Sequence, residues 1–185
     1  MYWFVSMYIG IYILSPFLNR FIHALNKKLH LHLILLLVLL FSAWPTLAAF
    51  APSFSLDGLA ISRGYSITWF VVLYFIAAYF GKYYKPNYRT TQHFLRYALI
   101  TTASVAILIL SNHLNAYTIS NTIDVFSVGL RGYNSLTVLL PSVALFIVFI
   151  NLKIRNQPIN KFIALFAPLT FGVYLIQSEP HVSKI

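Results

Sequence analysis

Residues 33–41 read LILLLVLLF. A strand of a membrane barrel has to alternate between a lipid face and a polar interior. An unbroken apolar stretch of this kind does not alternate, so helices are the expected spanning elements. A helix needs about 20 apolar residues to cross roughly 30 Å of hydrocarbon. Extended outward, the stretch fills a run at 29–49 that meets this need. Five further runs follow the same pattern, at 2–21, 66–84, 95–110, 135–152 and 162–177, with the fourth and sixth short. Pro16, Pro45 and Pro168 lie inside or near span ends. Membrane helices accept prolines where neighbouring groups satisfy the freed carbonyls.

Composition agrees. Only 9% of the 185 residues are charged and 59% are hydrophobic, whereas soluble domains carry about 25% charged residues. Three acids and thirteen bases cannot clothe a water-facing surface of this size, which excludes a soluble globular domain and a disordered chain. The fold class expected is all-α, one domain over 1–185: a polytopic transmembrane helix bundle of about six spans. With no cysteine, disulfides and thiolate metal sites are excluded. The net charge of +10 does not point to nucleic acid, because the bases sit in short gaps between apolar runs rather than on one polar face.

Those gaps orient the chain. Arg20, Lys27 and Lys28 follow the first span; Lys82, Lys85, Arg89 and Arg96 follow the third; Lys153, Arg155 and Lys161 follow the fifth. The opposite side holds only Arg63, Arg131 and Lys184, with all three acids, Asp57, Asp124 and Glu179. Short loops rich in Lys and Arg stay cytoplasmic. Both Met1 and the C-terminal tail are therefore expected outside an integral membrane protein. Trp3, Trp44 and Trp69 then fall near outer span ends, as an interfacial aromatic belt does; the competing reading is a stacking platform for a sugar or a lipid-linked acceptor. Trp3-Phe4 followed by Tyr8 is echoed by Trp69-Phe70 followed by Tyr74, which two helices entering from one side explain by coincidence.

No phosphate loop, nucleophile elbow, zinc helix or acidic metal cluster is visible. The span interiors read as free of titratable side chains, which speaks against a pump or an ion-coupled transporter. The polar candidates gather outside: Arg63 and Tyr65 with Asp57 in one loop; His113, Asp124, Arg131, Tyr133 and Asn134 in the loop 111–134; Glu179 and His181 in the tail. Arg63 and Arg131 break the charge asymmetry, and either guanidinium suits a phosphate, a carboxylate or a developing oxyanion. His113 and His181 have the chemistry of general bases. Taken singly, each is as well explained as a solvated loop residue. The inner bases suit a polyanionic donor such as an acyl-coenzyme A, although the orientation rule already accounts for them.

Four phrases in order resemble the acyltransferase 3 family of membrane proteins: YWFVSMYIGIYILSPFLN at 2–19, RGYSITWFVVLYFIAAYFGKYY at 63–84, YNSLTVLLPSVALFIVFINLKI at 133–154 and INKFIALFAPLTFGVYLIQSEP at 159–180. The flavour is that of the bacterial branch that decorates surface polysaccharides. The resemblance implies a fold of roughly ten helices that moves an acyl group, commonly acetyl from acetyl-coenzyme A, onto a sugar hydroxyl of an exported glycan in the bacterial plasma membrane. It implies no bound cofactor and no metal. By the same resemblance the chain corresponds to about the fourth through ninth helices. On that correspondence the first helices, with the family's proposed catalytic His, and the last helix are expected to be missing, so the segment alone is expected to be inactive unless a separate chain supplies them. Many members of that family read YLIH where Tyr174–Gln177 reads YLIQ, and glutamine cannot titrate. No catalytic residue carries over. The substrate-side support residues expected are Arg63, Tyr65, Trp69, Arg131, Asn134 and Glu179. The alternative reading is a multispan scaffold or a polysaccharide-export component without chemistry of its own.

Overall fold

The computed structural model describes residues 3–48, 64–86, 90–117, 130, 132–153, 157–158 and 161–166. Among them every regular element is helical and no strand occurs. Helix α1 (Trp3–Ala24) turns at once into α2 (Lys27–Val38), which continues through a π-helical turn (Leu39–Ala43) into α3 (Trp44–Ala48). Helices α4 (Ile67–Tyr83), α5 (Thr90–Tyr117) and α6 (Leu136–Asn151) follow, and residues 161–166 are also helical.

Three segments, Trp3–Ala24, Lys27–Leu47 and Thr91–Leu110, are long and apolar enough to cross a membrane, while α4 and α6 are apolar but shorter. The fourth span, expected short, is the longest helix: α5 has 28 residues and reaches about 42 Å. Hydropathy registers only the part of a helix that suits lipid. The polar turns at 90–93 and 111–117 stay helical beyond it, so residues 111–117 are not loop. Of the sixth run, only 162–166 fall among the described residues.

Local chemistry explains the boundaries. Asn26 caps α2, its Oδ1 accepting from the Leu29 N–H at 2.8 Å, as an N-cap side chain does for an otherwise orphaned donor. Ser66 does the same for Trp69 in α4, at 3.4 Å. Ser135 stands at the N-cap of α6 but makes no such bond. Its hydroxyl donates instead to the Leu130 carbonyl at 2.8 Å, which also accepts from the Thr137 hydroxyl. The first free N–H of α6, at Leu136, is capped from another helix: it donates to Thr46 Oγ1 at 3.1 Å. Thr46 in turn donates to the Ser42 carbonyl at 2.7 Å.

The prolines follow one rule. A proline inside a helix removes the bond to the carbonyl four residues earlier. For Pro16 that carbonyl belongs to Tyr12, and the Ser15 hydroxyl donates to it at 2.8 Å. For Pro45 it belongs to Phe41, and the Asn134 side-chain amide donates to it at 3.0 Å. Pro45 follows directly on the π-helical turn, where the Trp44 N–H reaches back to the Leu39 carbonyl. Pro141 lies inside α6 as well.

Helix α5 packs chiefly along α6, while α4 is central, packed on α1 and α2. Its inward face carries Trp69, Val72 and Phe75. Phe75 joins Ile22, Leu25 and Ile34, and Trp69 and Val72 join Leu139. Lipid tails are as apolar as these side chains, so close packing and polar links must hold such helices together. Both are present. A Cβ on Gly10 of α1 would lie 2.6 Å from Ile67 Cδ1 of α4, and Tyr74 Oη of α4 donates to Asn19 Oδ1 of α1 at 2.8 Å. The outward faces are apolar, with Tyr12 72% and Phe17 74% exposed, as lipid-facing positions should be.

Candidate functional site

Helices α1, α4 and α6 begin at one end of the bundle, where their first turns meet in an aromatic cluster. Trp3 stands 4.5 Å from Tyr65 and 5.8 Å from Tyr133, centre to centre. Tyr65 and Tyr133 lie 5.0 Å apart, edge to face. Phe70 approaches Trp3 and Phe4 at 6.3 and 5.6 Å. Edge-on pairs at these spacings are the favoured arrangement of aromatic quadrupoles. Trp3, Phe4 and Phe70 of the two echoed Trp-Phe pairs thus pack into one cluster, with Trp69 in the core beside it.

Backbone geometry fixes the cluster. Gly64 has φ 91°, a conformation open to glycine at little cost, and a Cβ there would come within 2.8 Å of Tyr133 Cβ and 2.9 Å of the Asn134 nitrogen. The chain before α4 therefore rests directly on the turn before α6. That turn is anchored in its own right by the Asn134 bond to Phe41 and by the buried hydroxyls of Ser135 and Thr137.

Beneath the cluster lies an apolar cavity of about 310 Å³, bounded by Trp3 and Phe4 of α1, Trp69, Phe70 and Leu73 of α4, and Val138, Leu139 and Ser142 of α6, with Gly64 and Tyr133 at its edge. This is the low end of the range for ligand pockets.

Of the six support residues expected from the sequence, the structure brings three together here. Tyr65 is 41% exposed and presents a ring beside Tyr133, itself 50% exposed. Trp69 is not at a surface belt: it is 2% exposed, part of the core and of the cavity wall. Asn134 is buried, with its amide engaged by Phe41. Arg63, Arg131 and Glu179 lie outside the described residues, as do Asp57, Asp124, His181 and Arg89. Trp44 is half-buried, and its indole N–H is one of four buried polar atoms lacking a partner among the described residues, with His30 Nδ1, Ser42 Oγ and Thr101 Oγ1.

The opposite end of the bundle holds two surprises. Lys82 of α4 was one inner base among ten. Its Nζ donates to the carbonyls of Ile22, Leu25 and His23 at 3.0, 3.0 and 3.4 Å, closing the C-terminal end of α1, where a positive charge offsets the helix dipole. Tyr83 Oη adds a bond to the Leu25 carbonyl at 3.1 Å. No carboxylate occurs among the described residues, so backbone carbonyls take its place. The second is His30, which corrects the expectation of spans free of titratable groups. It is fully buried, its Nε2 donates to the Phe75 carbonyl at 3.1 Å, and Phe75, Tyr79 and Tyr83 ring it at 6.0, 5.4 and 5.9 Å. The signal for it was thin: in KKLHLH, His30 and His32 lie two apart and so point to different sides of a helix, which leaves one of the pair facing the bundle.

No group of three or more metal-ligating side chains occurs among the described residues. Comparison with curated proteins and with solved structures returns no match. The acyltransferase domain profile matches residues 1–179, nearly the whole length, and the helical, lipid-suited architecture agrees with it. The chain belongs to the acyltransferase 3 family and is a membrane acyltransferase by that membership.

Proposed function

We propose that the chain serves the transfer of an acyl group, acetyl from acetyl-coenzyme A, to a hydroxyl of a cell-surface polysaccharide sugar in the bacterial plasma membrane, with both termini outside the cytoplasm. Family membership across residues 1–179 carries this reading. In such a transfer the sugar oxygen attacks the thioester carbonyl, a C–O bond forms, the C–S bond breaks, and the hydroxyl proton passes by way of a base to the leaving thiolate. The chemistry needs that base and donors for the carbonyl oxygen.

The geometry suggests how the chain helps. Tyr65 and Tyr133 offer exposed ring faces at the Trp3 end, suited to the apolar face of a sugar. Trp69 and Asn134 act as positioning residues beneath them. Arg63 precedes Gly64 in sequence and Arg131 precedes Gly132, so this reading assigns both guanidiniums, with Glu179, to the same acceptor side. The basic opposite end, with exposed Lys27, Lys28 and Lys85, suits the phosphates of the donor.

Disrupting the gene in its host and following O-acetyl signals of the purified surface glycan by NMR tests the proposal. Loss of base-labile acetyl, restored by the intact gene, is the expected result. Unchanged acetylation overturns it.

A further inference from the structure

The cavity under the aromatic cluster is at the wrong depth, and lined by the wrong atoms, for a sugar. Leu73 and Ser142 each lie almost two turns inside their helices, about 9 Å from the first residue. In a bilayer, groups that far past a helix start stand at the level of hydrocarbon. Five of the lining side chains are purely hydrocarbon, Phe4, Phe70, Leu73, Val138 and Leu139, and Trp3, Trp69 and Tyr133 add aromatic rings. Ser142 is the one aliphatic hydroxyl among them. Its hydroxyl donates to the Val138 carbonyl within its own helix at 2.7 Å, so it is already engaged. The nearby Asn134 amide is held by Phe41. A sugar placed here would leave its hydroxyls without partners, at a cost of about 1–3 kcal/mol each.

The mouth of the cavity points the same way. Ser142 is exposed although it lies well down α6, so the opening reaches the side of the bundle as well as its end. A side opening at that level faces lipid, not water.

We propose that this cavity is a binding site for a single hydrocarbon chain of a bilayer lipid, which enters sideways past Ser142 and ends against Trp69, Leu73 and Leu139. The site stands whether or not acyl transfer is the chain's function. Its volume of about 310 Å³ admits part of one chain, and its apolar lining disfavours a headgroup. The aromatic edges of Trp3 and Phe70 supply contact area that needs no hydrogen bond.

Trp69 reports on the occupant directly. At 2% exposure it lines the cavity and is otherwise packed in the core. The full chain carrying Trp3→Phe and Trp44→Phe, with Trp69 as its one tryptophan, is placed in vesicles of phosphatidylcholine with or without bromine on one acyl chain. Emission falling to less than half in the brominated vesicles is expected, with little quenching by acrylamide from the water. Equal emission in both vesicles overturns the proposal, whether a segment of the chain itself or water fills the space; strong acrylamide quenching without bromine quenching identifies water. Should the double variant misfold, the unsubstituted protein in vesicles containing a diazirine-tailed phospholipid gives the second reading. Adducts at Leu73 or Leu139 several-fold above those at the exposed Phe17 of α1 support the site, and adducts confined to outward faces such as Phe17 overturn it.

Discussion

The side-chain amide of Asn134 donates to the carbonyl of Phe41 at 3.0 Å, across 93 positions of sequence. That carbonyl is the one Pro45 leaves without its helical partner. An unpaired carbonyl in the interior of a membrane protein is costly, and here the loop that launches α6 supplies the missing donor. Thr46 returns the favour by capping the Leu136 N–H of that same helix at 3.1 Å. The proline kink and the start of α6 are thus one mutually satisfied unit.

Replacing Asn134 with leucine should lower stability by about 1–2 kcal/mol, since one buried carbonyl loses its donor. Pro45→Ala restores a backbone N–H that can reach Phe41. In that background Asn134→Leu should cost clearly less. A double-mutant cycle measured by unfolding in mixed micelles checks this, and additive effects would show that the two residues are not linked.

Lys82 is expected to matter first for folding. Lys82→Met removes three bonds to the end of α1 and its dipole complement, about 1–2 kcal/mol, while Lys82→Arg should recover part of the loss. Thermal unfolding of the detergent-solubilised protein reads both. A stable Lys82→Met protein that only binds acyl-coenzyme A more weakly would assign the lysine to donor binding instead.

Two glycines make opposite forecasts. Gly64→Ala forces a side chain onto a left-handed backbone position and into the backbone at Asn134, 2.9 Å away, so a loss of about 1–3 kcal/mol is expected. Gly10→Ala meets only the terminal methyl of Ile67 at 2.6 Å. That methyl can swing aside, and the effect should be well under 1 kcal/mol. Side-by-side yields and melting curves decide the order.

Within the proposed function, Tyr133→Ala should raise the KM for the glycan acceptor by about tenfold, from the roughly 1.4 kcal/mol that a lost stacking face is worth, with the KM for acetyl-coenzyme A unchanged. Tyr133→Phe should behave as the native chain. Steady-state kinetics in membranes of the host, where any separate chain is present, with each substrate varied in turn, separates these outcomes.

The spanning helices were legible because their cause is local: LILLLVLLF at 33–41 admits no alternative in lipid. Ser15 beside Pro16 was legible in principle for the same reason. The true length of α5 was not, since its polar ends fold beyond the apolar signal. Of the candidate site, Tyr65, Trp69 and Asn134 do converge, yet sequence gave no hint that Trp69 and Asn134 face inward. Asn134 finds its partner on a helix far away in sequence, and no periodicity encodes that. Lys82 looked like any cytoplasmic base because charge counting registers a side and ignores which carbonyls lie within reach. His30 lies inside the run at 29–49, where the leucines around it dominate the reading of the span, and only the packed helix shows it turned inward.

The π-helical turn at Leu39–Ala43 has a consequence for how this helix tolerates change in length. Removing one residue from it would let the helix relax to ordinary pitch and remain unbroken. Everything beyond it would keep its facing, because a π turn spends one residue more than an α turn on nearly the same rotation. Thr46 would still aim at Leu136, whereas a residue lost from the ordinary turns of α2 would swing it away by about 100°. The surplus residue works like slack in a cord: it adds nothing to the strength of the shaft and takes up a loss that the rest of the helix has no room for.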